Sequence, residues 1–224
     1  MGGTGMRGFS LIELLVGSAI GLVVVAAASN LVAHNLRENR AVILEARLMQ
    51  DLRNAADIVG RGLRRAGYWA GAASGVRGDD GEPVAANPYD ALVVDDAASG
   101  TVGFRFSRDA VENGVVDGNE QFGYRLRNGA IETQLGAANW QALTDPATLI
   151  VTLLRVVPRI EEASLVAFCP APCPLASATC PPRQQIRSLA VAIVARSPSD
   201  PALTRDLRLS VRLRNDAVVG SCEV

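Results

Sequence analysis

Gly8-Phe9-Ser10-Leu11-Ile12-Glu13-Leu14-Leu15 opens into Leu14–Ala33, LLVGSAIGLVVVAAASNLVA, twenty residues without a charge. At about 1.5 Å per residue, such a helix covers the roughly 30 Å core of a bilayer. A polar stub, MGGTGMRG, precedes it. An ordinary secretory signal is cut after its apolar region, at a small-x-small site. Here the informative residues lie before the apolar run. Glu13 stands four residues past Phe9 inside an apolar segment. A carboxylate there costs about 2.5–3.5 kcal/mol or more unless paired, which makes it a functional residue by default. Gly3-Thr4-Gly5-Met6-Arg7-Gly8 spells G-x-G-x-x-G. No strand precedes it and a membrane span follows, so the dinucleotide-binding reading fails its context.

The string Gly8–Leu15 resembles the prepilin signature of type IV pilins and type II secretion pseudopilins. The resemblance implies that a membrane aspartyl peptidase, the prepilin peptidase, cuts between Gly8 and Phe9 and methylates the new amino group of Phe9. Arg7 fits the basic leader. It further implies that Glu13 sets filament register. When apolar helices pack into a filament core, an unpaired carboxylate is strongly disfavoured, and a cationic amine on the processed Phe9, its own or a neighbour's, neutralises it. The alternative is a plain single-pass anchor with a chance Glu near the interface.

Working outward, the first proline is Pro83, so a helix can run from about Ser10 to Ala66 unbroken. Gly17 and Gly21, four apart, allow close helix contact. After Asn35 the pattern becomes amphipathic. Leu44, Leu48, Leu52, Ala55, Val59, Leu63 and Ala66 form one stripe, while Arg40, Arg47, Arg53, Asp57, Arg61 and Arg64 lie largely off it. Arg61, Arg64 and Arg65 suit the negative end of the helix dipole, and Gly67 is a candidate cap. The stripe needs a sheet to bury it.

The remainder reads as β-structure with long loops. Ala91–Asp95, Thr101–Ser107, Gln121–Arg127, Ile131–Gln134, Leu149–Val157 and Leu189–Arg196 are candidate strands. Asn128-Gly129 is a hairpin signal. Leu207, Leu209, Val211 and Leu213 alternate with polar residues as in a half-buried strand. The expected fold class is α+β and type IV pilin-like: a long amino-terminal helix on an antiparallel sheet head. The expected organisation is a leader at 1–8, a transmembrane and filament-core helix at 9–34, its amphipathic continuation at 35–67 and a periplasmic head at 68–224.

Leu44–Trp69 resembles the PilW-type minor pilin pattern, with Arg64-Arg65-Ala66-Gly67-Tyr68 fitting its end. Arg108-Asp109, Glu112-Asn113-Gly114, Phe122-Gly123-Tyr124-Arg125-Leu126 and the cysteine-bearing end extend the resemblance over most of the chain. It implies a low-abundance subunit that helps to initiate pilus assembly near the tip, with other minor pilins, the major pilin and a large tip adhesin as partners. It places the protein in the inner membrane, head in the periplasm, and then in the fibre at the cell surface. The alternative within this ancestry is pseudopilin J of type II secretion.

Composition narrows the classes. The 224 residues fit one domain or one domain plus an appendage, and 49% hydrophobic content excludes a disordered or fibrous chain. Arg supplies all 22 positive charges against 23 acids, and the net charge of -1 argues against broad nucleic-acid binding. His34 is the one histidine, which excludes His-pair chemistry in the head. A membrane-tethered enzyme is the distant alternative, but G-x-S-x-G, H-E-x-x-H and Walker loops are absent. The paired acids Asp95-Asp96 and Glu161-Glu162 read as solvated loop ends.

Three features of the head are candidate sites. Cys169, Cys173, Cys180 and Cys222 match no standard zinc finger, and behind a membrane anchor they read as disulfides. Of the three pairings open to four cysteines, Cys169–Cys173 with Cys180–Cys222 is the expectation. Asp109 to Glu120 can be laid on a twelve-residue calcium loop, with Asp109, Asn113, Val115, Asp117 and Glu120 as ligands and Gly114 at the tight turn. Val111 breaks the third position, and the competing reading is a polar hairpin loop. Arg208, Arg212 and Arg214 share one face of the last strand, either for an acidic partner, DNA or an anionic sugar, or solvated and paired with neighbouring acids.

Overall fold

The computed structural model describes residue 8 and residues 10–75, 85–95, 100–174, 177 and 179–222. One helix, α1, runs Leu11–Leu63. Its first bond is the Leu14 N–H donating to the Ser10 carbonyl at 3.1 Å. The chain divides into two compact units, residues 1–47 and 48–224. In the first, every residue from Leu11 to Ile43 is exposed. In the second, α1 buries Leu48, Leu52, Ala55, Val59 and Leu63, followed beyond its end by Ala66, as the apolar stripe predicts. Each fully buried Leu or Val side chain contributes about 1.5–3 kcal/mol.

Two antiparallel sheets supply the rest of that core. The first contains β1 (Leu92–Asp95), β2 (Thr101–Arg105), β3 (Gln121–Arg127), β4 (Ala130–Leu135) and β5 (Trp140–Ala142), hydrogen-bonded in chain order. The second contains β6 (Ile150–Ser164), β7 (Arg183–Arg196) and β8 (Thr204–Arg212), with β9 (Ala217–Val219) also on β7. Val102, Phe104, Tyr124 and Ile131 from the first sheet join Leu154, Val156, Leu189, Val191, Ile193 and Val211 from the second around the α1 stripe. The fold is therefore α+β and pilin-like, one long helix with antiparallel sheets.

Two glycines on α1 set the depth of that packing. A Cβ on Gly60 would lie 2.8 Å from Leu209 Cδ1, and one on Gly62 only 2.0 Å from Tyr124 Oη. The Tyr124 hydroxyl fills the space and donates to the Ile58 carbonyl at 3.3 Å. Gly67 takes a left-handed φ of 72° after the helix end. Its N–H donates to the Arg105 carbonyl at 2.8 Å, and its carbonyl accepts from the side-chain amides of Asn87 and Asn215. The turn after α1 is thus bound to three distant parts of the head.

The hairpin signal at Asn128-Gly129 joins β3 to β4, with both residues at positive φ as a two-residue hairpin of this type requires. Two strands are longer than expected. β6 continues seven residues past Val157, through Pro158, and β7 begins six residues before Leu189. Proline has no N–H for the ladder, so it is read as a strand end. β6 is an edge strand of its sheet, where a missing donor is tolerated.

Candidate functional site

The amino-terminal segment concentrates one chemistry. Gly8 is exposed, Phe9 lies outside the described residues, and α1 begins two residues later at Leu11. Glu13 falls in the first helical turn, where a negative charge suits the positive end of the dipole. It makes no ion pair or hydrogen bond among the described residues. Around it Leu11, Ile12, Leu14 and Leu15 are all exposed. By length and composition this part of α1 suffices to cross a membrane. Its two serines are already satisfied: Ser18 Oγ donates to the Leu15 carbonyl at 2.9 Å and Ser29 Oγ to the Val25 carbonyl at 2.8 Å. Glu13 is the charged side chain of this segment, and the helix supplies it no partner among the described residues. The change to a polar surface comes at His34, which pairs with Glu38 one turn on at 3.0 Å.

The comparisons with known proteins cover both halves. The family model of the prokaryotic N-terminal methylation motif matches residues 4–29. That of Prepilin peptidase-dependent protein B matches residues 41–213, most of the chain. The chain belongs to the prepilin peptidase-dependent protein B family. A curated relative, Prepilin peptidase-dependent protein B of Escherichia coli (strain K12), is 27% identical over 156 residues, covering 67% of this chain and 77% of the relative. No solved structure matches the chain. The resemblance to minor, prepilin-type pilins is therefore met, and membership points to a structural rather than an enzymatic protein.

In this family member the cysteine pairing differs from the expectation. Cys169 bonds Cys222, and Cys173 bonds Cys180. The reason is tertiary. A one-turn helix at Val166–Phe168 delivers Cys169 to the end of β6, and β9 pairs with the first residues of β7. The Ser221 N–H then donates to the Thr179 carbonyl at 3.0 Å, which brings the carboxyl end beside the loop. The sulfurs of Cys169, Cys173 and Cys180 lie within 4.8 Å of one another, so proximity alone does not select the pairing.

The loop from Asp109 to Glu120 is not laid out as a calcium cage. Glu120 is fully buried, and its two oxygens accept the backbone N–H groups of Arg108 at 2.7 Å and Asp117 at 2.9 Å. The ligand expected at the last position is thus committed to capping a one-turn helix at Gly118–Glu120. The Val115 carbonyl accepts from the Tyr89 hydroxyl, and Asn113 Oδ1 from the Val115 N–H. Asp109 Oδ2 is buried without a partner among the described residues. Burial, then the Glu120, Asp117 and Glu112 charges, raise the Asp109 pKa against the pull of the Asn113 N–H. Glu112, which was not among the expected ligands, is the hub. It accepts from the Tyr89 hydroxyl at 3.0 Å, the Gly114 N–H at 3.1 Å and the Ala70 N–H at 3.2 Å.

The expected arginine face is divided. Arg208 reaches Asp206 at 3.5 Å and Arg212 reaches Asp216 at 2.8 Å, while Arg214 leans over the Tyr68 ring. Two arginines that were not expected, Arg155 and Arg159, project from β6 on the same sheet face as Arg208 and Arg212. Their signal in the sequence is the alternation Leu153-Arg155-Val157-Arg159 within an apolar run. Of the paired acids, Glu161 and Glu162 lie within β6 rather than at a loop end, and Glu162 pairs with Gln185 and Arg183. Asp95 ends β1, and Asp96 lies outside the described residues.

Proposed function

We propose that this chain is a minor pilin, made with a leader at 1–8, cut by prepilin peptidase between Gly8 and Phe9 and methylated on Phe9. The 9–34 segment holds it in the inner membrane with the head in the periplasm. Assembly then carries it into the tip of a pilus together with other minor pilins. The observation that carries this reading is Glu13, a carboxylate without a described partner in the first turn of an exposed, apolar helix. A lone membrane anchor has no use for that charge. A bundle of such helices has one, because an amine of a processed neighbour is the partner that removes its burial cost. The name of the relative in Escherichia coli, a prepilin peptidase-dependent protein, supports processing here.

The test is a clean deletion complemented with wild type or Glu13→Gln, scoring surface pili, twitching and the secreted proteome beside the mass of the mature amino terminus. Wild type is expected to yield methylated Phe9 as its first residue and to restore pili. Glu13→Gln is expected to be cut normally but incorporated poorly. Normal piliation in that strain would remove the pairing account. Normal pili with lost secretion in the deletion would assign the protein to a secretion pseudopilus of the J type.

A further inference from the structure

The outward face of the second sheet carries a charge pattern that folding does not require. Strand register places Arg155 opposite Ala192 and Ala192 opposite Arg208. Two residues further on, Val157 faces Ala190, which faces Ser210; then Arg159 faces Ser188, which faces Arg212. Two columns of arginine thus flank a floor of small side chains on the middle strand. Neighbouring strands are about 4.8 Å apart, so the columns stand about 10 Å apart; arginines four residues apart on one strand are separated by about 13 Å. A groove of about 750 Å³ lies here, walled by Leu153, Val157, Val194 and Asp206 besides Arg155, Arg159 and Arg208, with Arg212 beyond its end. Leu153 is 42% exposed at its edge.

Two acids of this face lie towards its ends. Asp206 sits in the row of Val194, and Glu161 in that of Ile186. Between them the face is basic, in a chain whose net charge is -1. Arg155 and Arg159 make no ion pair or hydrogen bond among the described residues. Arg208 and Asp206 are 83% and 60% exposed in their contact, and so exposed a pair contributes little, so an incoming carboxylate can replace Asp206; Arg212 keeps Asp216 at 2.8 Å and offers its remaining N–H groups.

We propose that this face docks a carboxylate-bearing, extended segment of a partner protein, whose acids meet Arg155, Arg159, Arg208 and Arg212 while its apolar side chains rest on Ala190 and Ala192. The inference rests on reading the chain as an assembly subunit. Charge complementarity selects the acid, and the floor selects protein. An apolar centre rimmed by arginine is the composition of a protein interface. Single-stranded nucleic acid calls for aromatic platforms, and no aromatic side chain among the described residues lines this groove.

The test uses the full-length chain in detergent micelles and a labelled twelve-residue peptide alternating Glu and Val, read by fluorescence anisotropy. A Gln-Val peptide and a duplex DNA of similar length serve as competitors. The Glu-Val peptide is expected to bind, and to bind at least tenfold more weakly to R155Q/R159Q, to R208Q/R212Q and to wild type in 0.5 M salt. The exposed helix variant R53Q, matched for thermal unfolding, is expected to bind as wild type does. Equal binding of the Gln-Val peptide, or no loss in either arginine pair variant, overturns the proposal. Tighter, arginine-dependent binding of the duplex overturns it in favour of nucleic acid. Cleavage at Gly8 is scored separately by mass; its failure would sink the assembly reading while leaving the peptide result standing.

Discussion

At Gly62 one missing methyl group decides how closely α1 meets its sheet. A Cβ there would sit 2.0 Å from Tyr124 Oη and 3.0 Å from Cζ, and Tyr124 is itself buried in the core. Alanine is a better helix former than glycine by about 1 kcal/mol, but overpacking costs about 1–3 kcal/mol. Gly62→Ala is therefore expected to lower stability by up to about 2 kcal/mol, and Tyr124→Phe in the same chain to recover part of the loss. Chemical denaturation of the four-member cycle measures this; additive effects would show that the two residues do not meet. The sequence displays Gly60 and Gly62 as ordinary weak points in a helix. What they admit is visible only when Leu209 and Tyr124, far along the chain, are placed over them.

Among the elements, the loop between β2 and β3 depends on partly buried carboxylates. Burial raises the Glu112 pKa, but the Gly114 N–H, the Ser107 and Tyr89 hydroxyls and the Ala70 N–H together lower it below its ordinary value. A carboxyl with a depressed folded pKa contributes stability above its unfolded pKa and loses it as pH falls through the folded value. Asp109, with its pKa raised, works in the opposite sense and favours folding as acid neutralises it. Glu112→Gln is expected to cost about 1–2 kcal/mol at pH 7, from weakened charge-assisted bonds. The gap to wild type is expected to narrow as pH falls below the ordinary glutamate value of 4.5. Denaturant midpoints of both proteins across pH 3–7 check it; a gap that does not vary with pH would remove Glu112 as an ionised hub. The elements themselves were legible where local chemistry fixes them. The α1 stripe and the Asn128-Gly129 hairpin both lie where their residues place them. β5 and β9 are three residues each, too short to show a period, and exist through their partners β4 and β7.

For the whole molecule, the two disulfides are unequal. Cys169–Cys222 spans 53 residues and Cys173–Cys180 spans 7. Loop-closure entropy assigns them about 4 and about 2 kcal/mol. Cys169→Ser with Cys222→Ser is expected to lower the thermal midpoint more than Cys173→Ser with Cys180→Ser, because it frees the carboxyl-terminal segment from the end of β6. Calorimetry on both double variants decides; equal losses would mean that the unfolded chain is not what the long bridge restrains.

The sequence by itself determined that this chain has a membrane-length amino-terminal helix with a charged residue where lipid disfavours one, and that the helix continues along an apolar stripe into a β-rich head. Those properties are periodic or local, and charge, hydropathy and turn stereochemistry set them residue by residue. Only the tertiary structure decided which cysteines bond, that Glu112 and Glu120 are taken up by hydrogen bonds within the head, and that Arg155 and Arg159 stand beside Arg208 and Arg212. Each of these depends on strand register between segments tens of residues apart, which no local preference encodes.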